Sequence, residues 1–386
     1  MIRHRIVRVL CAALPLLALT ALRLPAQSMD DLNIQLHGYA TQGFLYSNHN
    51  SWNGTDSSSG SAAWTEAVMN VSAQPDAKLR IGVQARYFLL GDYGDQIRLD
   101  WAQADYKVNQ HLGFRAGMVK TPTGLWNETQ DIDPAHLWAL LPQSIYQIAS
   151  RDSLLNHYGG VVYGAVQLGE RSKLEYRGFG GTRIISGNDS VFQPLRDQGM
   201  SVPNGIRGPI YGAALHLQLP FGFMVGTSAD VEKPSGEIVA GPLSGTIKSN
   251  RIVSPDFFGK LERGKVMLAA EYDRTPVNSA IAFNGLPAIP DPTDYRAWYA
   301  MASYRLSSKL NAGAYYSSFM NRAAAVSSSR FQKDWTVAAR YDFNPYLYAK
   351  AEQHFIDGTA VGFNASDNPN LQATARMTIL KLGVSF

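Results

Sequence analysis

From residue 34 to the end of the chain, one pattern recurs. Stretches of about ten residues alternate apolar and polar side chains with period 2. Leu79, Ile81, Val83, Ala85, Tyr87 and Leu89 share one face, while Arg80, Gly82, Gln84 and Arg86 share the other. Trp335, Val337, Ala339, Tyr341 and Phe343 likewise oppose Asp334, Thr336, Ala338, Arg340 and Asp342. Wound as a helix, such a stretch would scatter its apolar groups around the whole circumference; as a strand it has one dry face and one wet face. The segments fall at 34–47, 63–74, 79–90, 96–108, 112–120, 156–168, 173–185, 208–218, 222–232, 252–262, 265–274, 294–306, 309–319, 333–343, 346–356 and 372–386, sixteen in all, with those near 160 and 255 the weakest. Misreading the weak ones would make the number 14 or 18. Ile97, Leu99 and Trp101 have the opposite parity to Ala104, Tyr106 and Val108, which predicts a β-bulge near Ala102.

Connections alternate in length. Short ones include Gln74 to Lys78, Gly169 to Ser172, Leu219-Pro220-Phe221, Arg263-Gly264 and Asn344-Pro345. Long ones occupy 48–62, 121–155, 186–207, 233–251, 275–293, 320–332 and 357–371; the connection at Gly91 to Asp95 breaks the alternation. Sixteen antiparallel strands closed on themselves enclose a lumen too wide for their own side chains to fill. With the polar face inward, the apolar face needs a solvent other than water, and a closed sheet leaves no unpaired backbone for hydrocarbon to reject. The fold expected is therefore all-β: a 16-stranded antiparallel transmembrane β-barrel with short periplasmic turns and long external loops.

Composition agrees. The chain is 45% hydrophobic and 17% charged, and its mean hydropathy of −0.16 excludes a bundle of apolar membrane helices. Residues 1–26 read as a secretory signal peptide: Arg3, Arg5 and Arg8, then the apolar run Val9 to Leu22, then Leu24-Pro25-Ala26. The formal charge of +4 belongs to this segment. Removing it deletes four arginines and no acid, leaving 31 basic and 31 acidic residues and no cysteine. A neutral chain has no net electrostatic attraction to nucleic acid. No HExxH, cysteine pair, GxSxG or GxGxxG stands in the sequence, so neither a catalytic residue nor a metal or cofactor site is expected. At the C-terminus Phe386, Val384, Leu382 and Leu380 alternate with Ser385, Gly383 and Lys381. Phe221, Phe223, Tyr304, Phe343, Tyr346 and Phe386 lie near short turns or the chain end, where an interfacial aromatic girdle would sit.

These features resemble the Gram-negative outer-membrane porins, general or phosphate-selective in type. Leu36-His37-Gly38-Tyr39-Ala40 resembles the first strand of many porins, and the terminal aromatic strand resembles the signal read by the barrel insertion machinery. Gly117 to Leu125 resembles the stretch where the fifth porin strand leads into the third loop. The resemblance implies that the longest connection, 121–155, folds into the lumen as a constriction loop. It further implies a homotrimer in the bacterial outer membrane, without cofactor, that passes small hydrophilic solutes or ions by diffusion.

The charges allow a mechanism. Glu128, Asp131 and Asp133 stand on the loop, which carries no Lys or Arg from Thr121 to Ser150; Arg80, Arg86, Arg98 and Arg115 stand on the inner face of the third to fifth strands. These seven residues are expected to line the constriction and set a transverse field across it. Otherwise the loop lies over the mouth with its acids solvated. Other lumenal charges nearly cancel: Lys173, Glu175, Arg177, Asp230, Glu232, Glu271, Arg340, Asp342, Lys350 and Glu352. Trp126, Trp138 and Tyr146 either form part of an aromatic slide for sugars or pin the loop to the wall. The remaining alternatives are an anion-, phosphate- or sugar-selective channel, a plugged receptor, and a barrel hydrolase.

Overall fold

A computed structural model describes residues 32–386; the signal peptide read over residues 1–26 lies outside them. Among the described residues, nineteen strands form one sheet. Sixteen of them make the barrel: β1 Gln35–Ser47, β2 Ser61–Asp76, β3 Leu79–Leu90, β4 Tyr93–Lys107, β5 Gly113–Lys120, β6 Asn156–Leu168, β7 Ser172–Ile185, β8 Ile206–Gln218, β9 Phe223–Glu232, β10 Ile252–Arg263, β11 Val266–Phe283, β12 Ile289–Arg305, β13 Leu310–Asn321, β14 Phe331–Asp342, β15 Leu347–Gly358 and β16 Thr374–Ser385. Each pairs antiparallel with its neighbour in sequence, and β16 returns to β1 in a register that sets Tyr39 opposite Ser385. Closure is completed by reciprocal backbone hydrogen bonds of 3.0 Å between Gly38 and Phe386. A Cβ at residue 38 would lie 2.7 Å from the Phe386 ring, so glycine there lets the chain end lie flat on the seam.

Alternation decides which way each side chain points. In β16, Ile379 and Lys381 are 0% and 3% exposed, while Leu380 and Leu382 are each 51% exposed. The same inversion holds around the wall: Ile81, Val83, Leu99, Val162, Leu215, Phe257, Leu268, Trp335 and Val337 all face outward. A protein in water would lose about 25 cal/mol for each Å² of apolar surface so presented, whereas lipid makes it the favoured face. Phe221, Phe223, Tyr304, Phe343, Tyr346 and Phe386 are exposed at the short-turn end, the headgroup level for amphipathic rings.

Three features differ from the sequence expectation. The bulge lies at Asp100 rather than near Ala102. Gln84 pairs with Trp101 and Ala85 with Leu99, so Asp100 is the extra residue. Trp101 thus faces inward, unlike Ile97 and Leu99. Second, the connection expected over 275–293 is mostly strand, since β11 and β12 pair as far as Ile281 and Ile289. Pro290 and Pro292 lie on β12 beyond Tyr295, where it has no partner in β13 and is an edge that tolerates proline. Third, the connection 233–251 contains a hairpin, Ser235–Ala240 with Leu243–Ser249, which pairs with Met200–Ser201 and with the outer part of β11. Together these pieces raise a collar above one side of the barrel.

Candidate functional site

The lumen is occupied by the segment 121–155. It leaves β5, crosses to β9–β12 and swings back past β3, β5 and β7. It then reaches β14–β16, touches β11 and β12 again at Ser144 and Tyr146, and returns past β2–β4 before entering β6. Each stage is fixed by named contacts. At the first crossing the Gly124 amide donates to Ser228 Oγ at 3.0 Å and the Leu125 amide to Glu271 Oε1 at 2.9 Å. Tyr146 and Tyr299 hydroxyls also donate to Glu271, at 2.7 and 2.6 Å. Gly124 has a φ of +63°, and a Cβ there would lie 2.5 Å from Glu271 Oε1, so the close approach requires glycine. On the far wall the Ala139 and Leu140 amides donate to Glu352 at 2.7 and 3.2 Å. Two lumenal glutamates thus accept the exposed amides of an otherwise irregular segment, which could not remain unpaired away from water.

Apolar packing completes the seat. Leu137, Trp138, Leu141 and Tyr146 pack with Ala269, Tyr299, Met301, Tyr315 and Ala338 of the wall. Leu140 joins Leu45, Trp64, Phe88, Met377 and Ile379. Trp138 meets Tyr315 edge-on, with ring centroids 5.1 Å apart. Tyr146 and Trp138 therefore pin the loop to the wall. The void that sixteen strands cannot fill with their own side chains is filled to a large extent by this loop.

The seven charges predicted from sequence are distributed as follows. Arg115 Nη1 meets Glu128 at 2.7 Å, and Arg177 Nε reaches the same carboxylate at 3.2 Å. Asp131 does not face an arginine of the expected set; it accepts from Lys120 Nζ at 2.6 Å and from Gln84 at 2.7 Å. Asp133 binds Lys350 at 3.0 Å and Lys381 at 2.5 Å, with the Tyr348 hydroxyl at 2.7 Å. Arg86 and Arg98 both pair with Asp152, the latter at 2.9 Å. Arg80 stays near the short-turn end and donates to Ser72 at 3.0 Å. The expected arrangement, four wall arginines facing three loop acids across a gap, is thus corrected: among the seven, only Arg115 and Glu128 pair with each other.

Sequence reasoning missed Lys120, Arg151 and Asp152 as members of this network, and Glu66 and Asp100 with them. Arg151 binds Glu66 at 2.5 Å and Asp100 at 2.7 Å. Lumenal parity in β2 was the available sign for Glu66; Asp100 was hidden by the bulge. Arg151 and Asp152 carried no sign, because an irregular loop has no parity.

Charges and burial set the loop's proton affinities. Burial opposes ionisation of Asp133, but Lys350 and Lys381 outweigh it and hold the carboxyl well below the usual range. Glu128, beside Arg177 and Arg115, and Asp131, beside Lys120, are lowered in the same way. Asp152 is lowered by Arg86 and Arg98. Burial pushes His136 down to about 4, so at neutral pH it is the uncharged ring, bonded to the Thr129 carbonyl at 2.9 Å.

Comparison with solved structures identifies the architecture. OmpF of Salmonella typhi, in complex with daunomycin, aligns with a TM-score of 0.58 at 12% identity over 93% of this chain and 99% of that one. The fold is that of the porins. The outer membrane channel DcaP of Acinetobacter baumannii gives 0.57 at 13% identity over 93% and 99%. An anion-selective porin from Comamonas acidovorans gives 0.55 at 10% identity over 92% and 99%. No protein-family model matches the sequence, and no curated protein sequence does. At these identities the shared property is the porin fold itself. The charges inside it are this chain's own.

Proposed function

We propose that the mature chain is a porin of the bacterial outer membrane. It forms a water-filled channel through which small hydrophilic solutes or ions diffuse passively. The observation that carries this reading is a closed barrel, apolar outside, whose charged lumen is narrowed by a loop anchored to it at both glutamate seats. Residues 1–26 would export the chain, the strand ending at Phe386 would engage the insertion machinery, and three copies would assemble. Of the seven charges, Arg80, Arg98, Arg115 and Glu128 belong to the lumenal surface that a solute meets, while the buried Arg86, Asp131 and Asp133 hold the loop in place. Arg115 and Glu128 bound the narrow zone, and Arg86 and Arg98 stand nearer the long-loop entrance. The reading includes no enzymatic step and no resident cofactor or metal.

A second reading, a solute-selective channel, is favoured by how far the loop reaches. It contacts strands on every side of the barrel, which leaves less open section than a loop hugging one wall. Selectivity in such a passage comes from the groups that line it and from its bore. Conductance of the refolded chain in a planar bilayer, with the reversal potential under a salt gradient, tests both. Discrete open steps are expected, grouped in threes if the trimer forms, and small steps with strong solute dependence would favour the selective form. A silent membrane containing correctly folded barrels would overturn the channel reading and leave the plugged receptor or rim hydrolase.

A further inference from the structure

A cavity of about 250 Å³ opens beside β3 and β4 toward the long-loop end, bounded by the inserted loop and by the 186–205 connection. On its floor Arg86 and Arg98 stand in register on adjacent strands. Two guanidiniums so placed repel one another unless an anion lies between them. Asp152 of the loop is that anion, one oxygen bonded to each arginine. The neighbouring acids Glu66 and Asp100 are shut away at 3% and 2% side-chain exposure, but Asp152 retains 27% and Arg98 32%. Asp152 and Arg98 are therefore the exchangeable partners, while Arg86, itself 2% exposed, becomes accessible only when Asp152 leaves. Phe88 and Tyr93 line the same space, with the Phe88 ring 4.2 Å beneath the Arg86 guanidinium.

We propose that this cavity is a binding site for a small organic acid passing through the barrel, whose carboxylate replaces Asp152 between Arg86 and Arg98 while its apolar part lies against Phe88 and Tyr93. The proposal rests on the channel reading for the solute's route, but the site itself is a property of the folded barrel. The pairing of the arginines is kept in the exchange, and the displaced Asp152 carboxylate, already partly exposed, turns into the water of the cavity. Arg86, Arg98 and Arg151 face Glu66, Asp100 and Asp152, and a bound monoanion takes the place of the displaced aspartate. Asp92, Asp189 and Arg196 also line the cavity, two acids against one cation, so the second charge of a doubly charged anion would meet a net negative surrounding. Monocarboxylates are therefore preferred to phosphate. Asp152 acts as a built-in competitor: it keeps the arginines paired when no solute is present and weakens apparent affinity by the fraction of time it occupies the seat.

Calorimetric titration of benzoate into the refolded barrel in detergent micelles tests the site without requiring conductance. Saturable binding is expected for the unaltered chain, about tenfold tighter binding for Asp152→Asn, and at least tenfold weaker binding for Arg98→Gln, since a charge-assisted bond is lost. Phosphate and benzamide serve as controls and should bind far more weakly. Heat-modifiable migration on electrophoresis verifies the fold of each variant. If Asp152→Asn does not fold, the partly exposed Arg98→Gln carries the test. No benzoate binding, equal affinity in all folded forms, or phosphate binding as tight as benzoate would each overturn the proposal. Open channels without benzoate binding would sink the site and spare the channel reading. Benzoate binding across a silent membrane would do the reverse.

Discussion

Asp133 is a single carboxylate shared by lysines of the last two strands, and none of the three is more than slightly exposed. Asp133→Asn would leave Lys350 as a buried cation without a carboxylate and Lys381 with only Glu66 at 4.0 Å, a change that costs about 3–5 kcal/mol. Urea titration in detergent should show the midpoint fall accordingly. Glu271→Gln should also destabilise, by about 1–3 kcal/mol, because the Leu125 amide and the Tyr146 and Tyr299 hydroxyls converge on it. Asp256→Asn should behave oppositely. Asp256 stands opposite Asp273, and its Oδ1 has no hydrogen-bond partner, so a neutral amide of the same shape should leave the midpoint unchanged or raise it; a fall comparable to that of Glu271→Gln would contradict this account. Parity alone had placed Lys350, Glu271 and Glu352 in the lumen. Their partners stayed hidden, because those partners sit on an irregular loop whose path depends on the assembled wall.

At the scale of elements, the loop's seat should be sensitive to acid. Every shifted carboxyl on the loop that faces cations is lowered, and His136 is lowered as well. The seated loop therefore holds fewer protons than the released one, and protonation favours release. The stabilisation is complete above the ordinary histidine value of 6.5. It declines as pH falls from there to about 4, the range over which His136 would be charged only when released. It declines again below the ordinary carboxylate range as Glu128, Asp131, Asp133 and Asp152 lose their advantage. Open-channel current noise should accordingly grow as pH is lowered from 7 toward 3.5, and noise that instead grew on going alkaline would contradict this sign. The loop's existence was legible from its length after the fifth strand, while its inward course was implied only by the resemblance to porins. Its charge partners were not legible, since Lys120 stands at the end of β5, where parity ends, and Arg151 lies on the loop itself, which has none.

For the whole molecule, sixteen strands could be read from the sequence because a wall with lipid on one side and a charged lumen on the other forces period 2 on every strand. The collar of β11, β12 and the 235–249 hairpin escaped, because it stands clear of that two-solvent constraint and carries prolines on an open edge. The seam should be the barrel's weak line: deleting Phe386 removes the reciprocal bonds to Gly38, and the fraction of heat-modifiable, folded protein recovered on refolding should drop. The bond from Lys381 to Asp133 joins residues 248 positions apart, which has a kinetic meaning. Ring closure over so long a chain cannot precede the arrival of the final strand. The loop can begin to collapse against early strands, but its last lysine is delivered only when the two ends of the sheet meet. Sealing the wall and locking the loop inside it are thus one event in time, and an assembly intermediate that has not closed has no fully seated loop either.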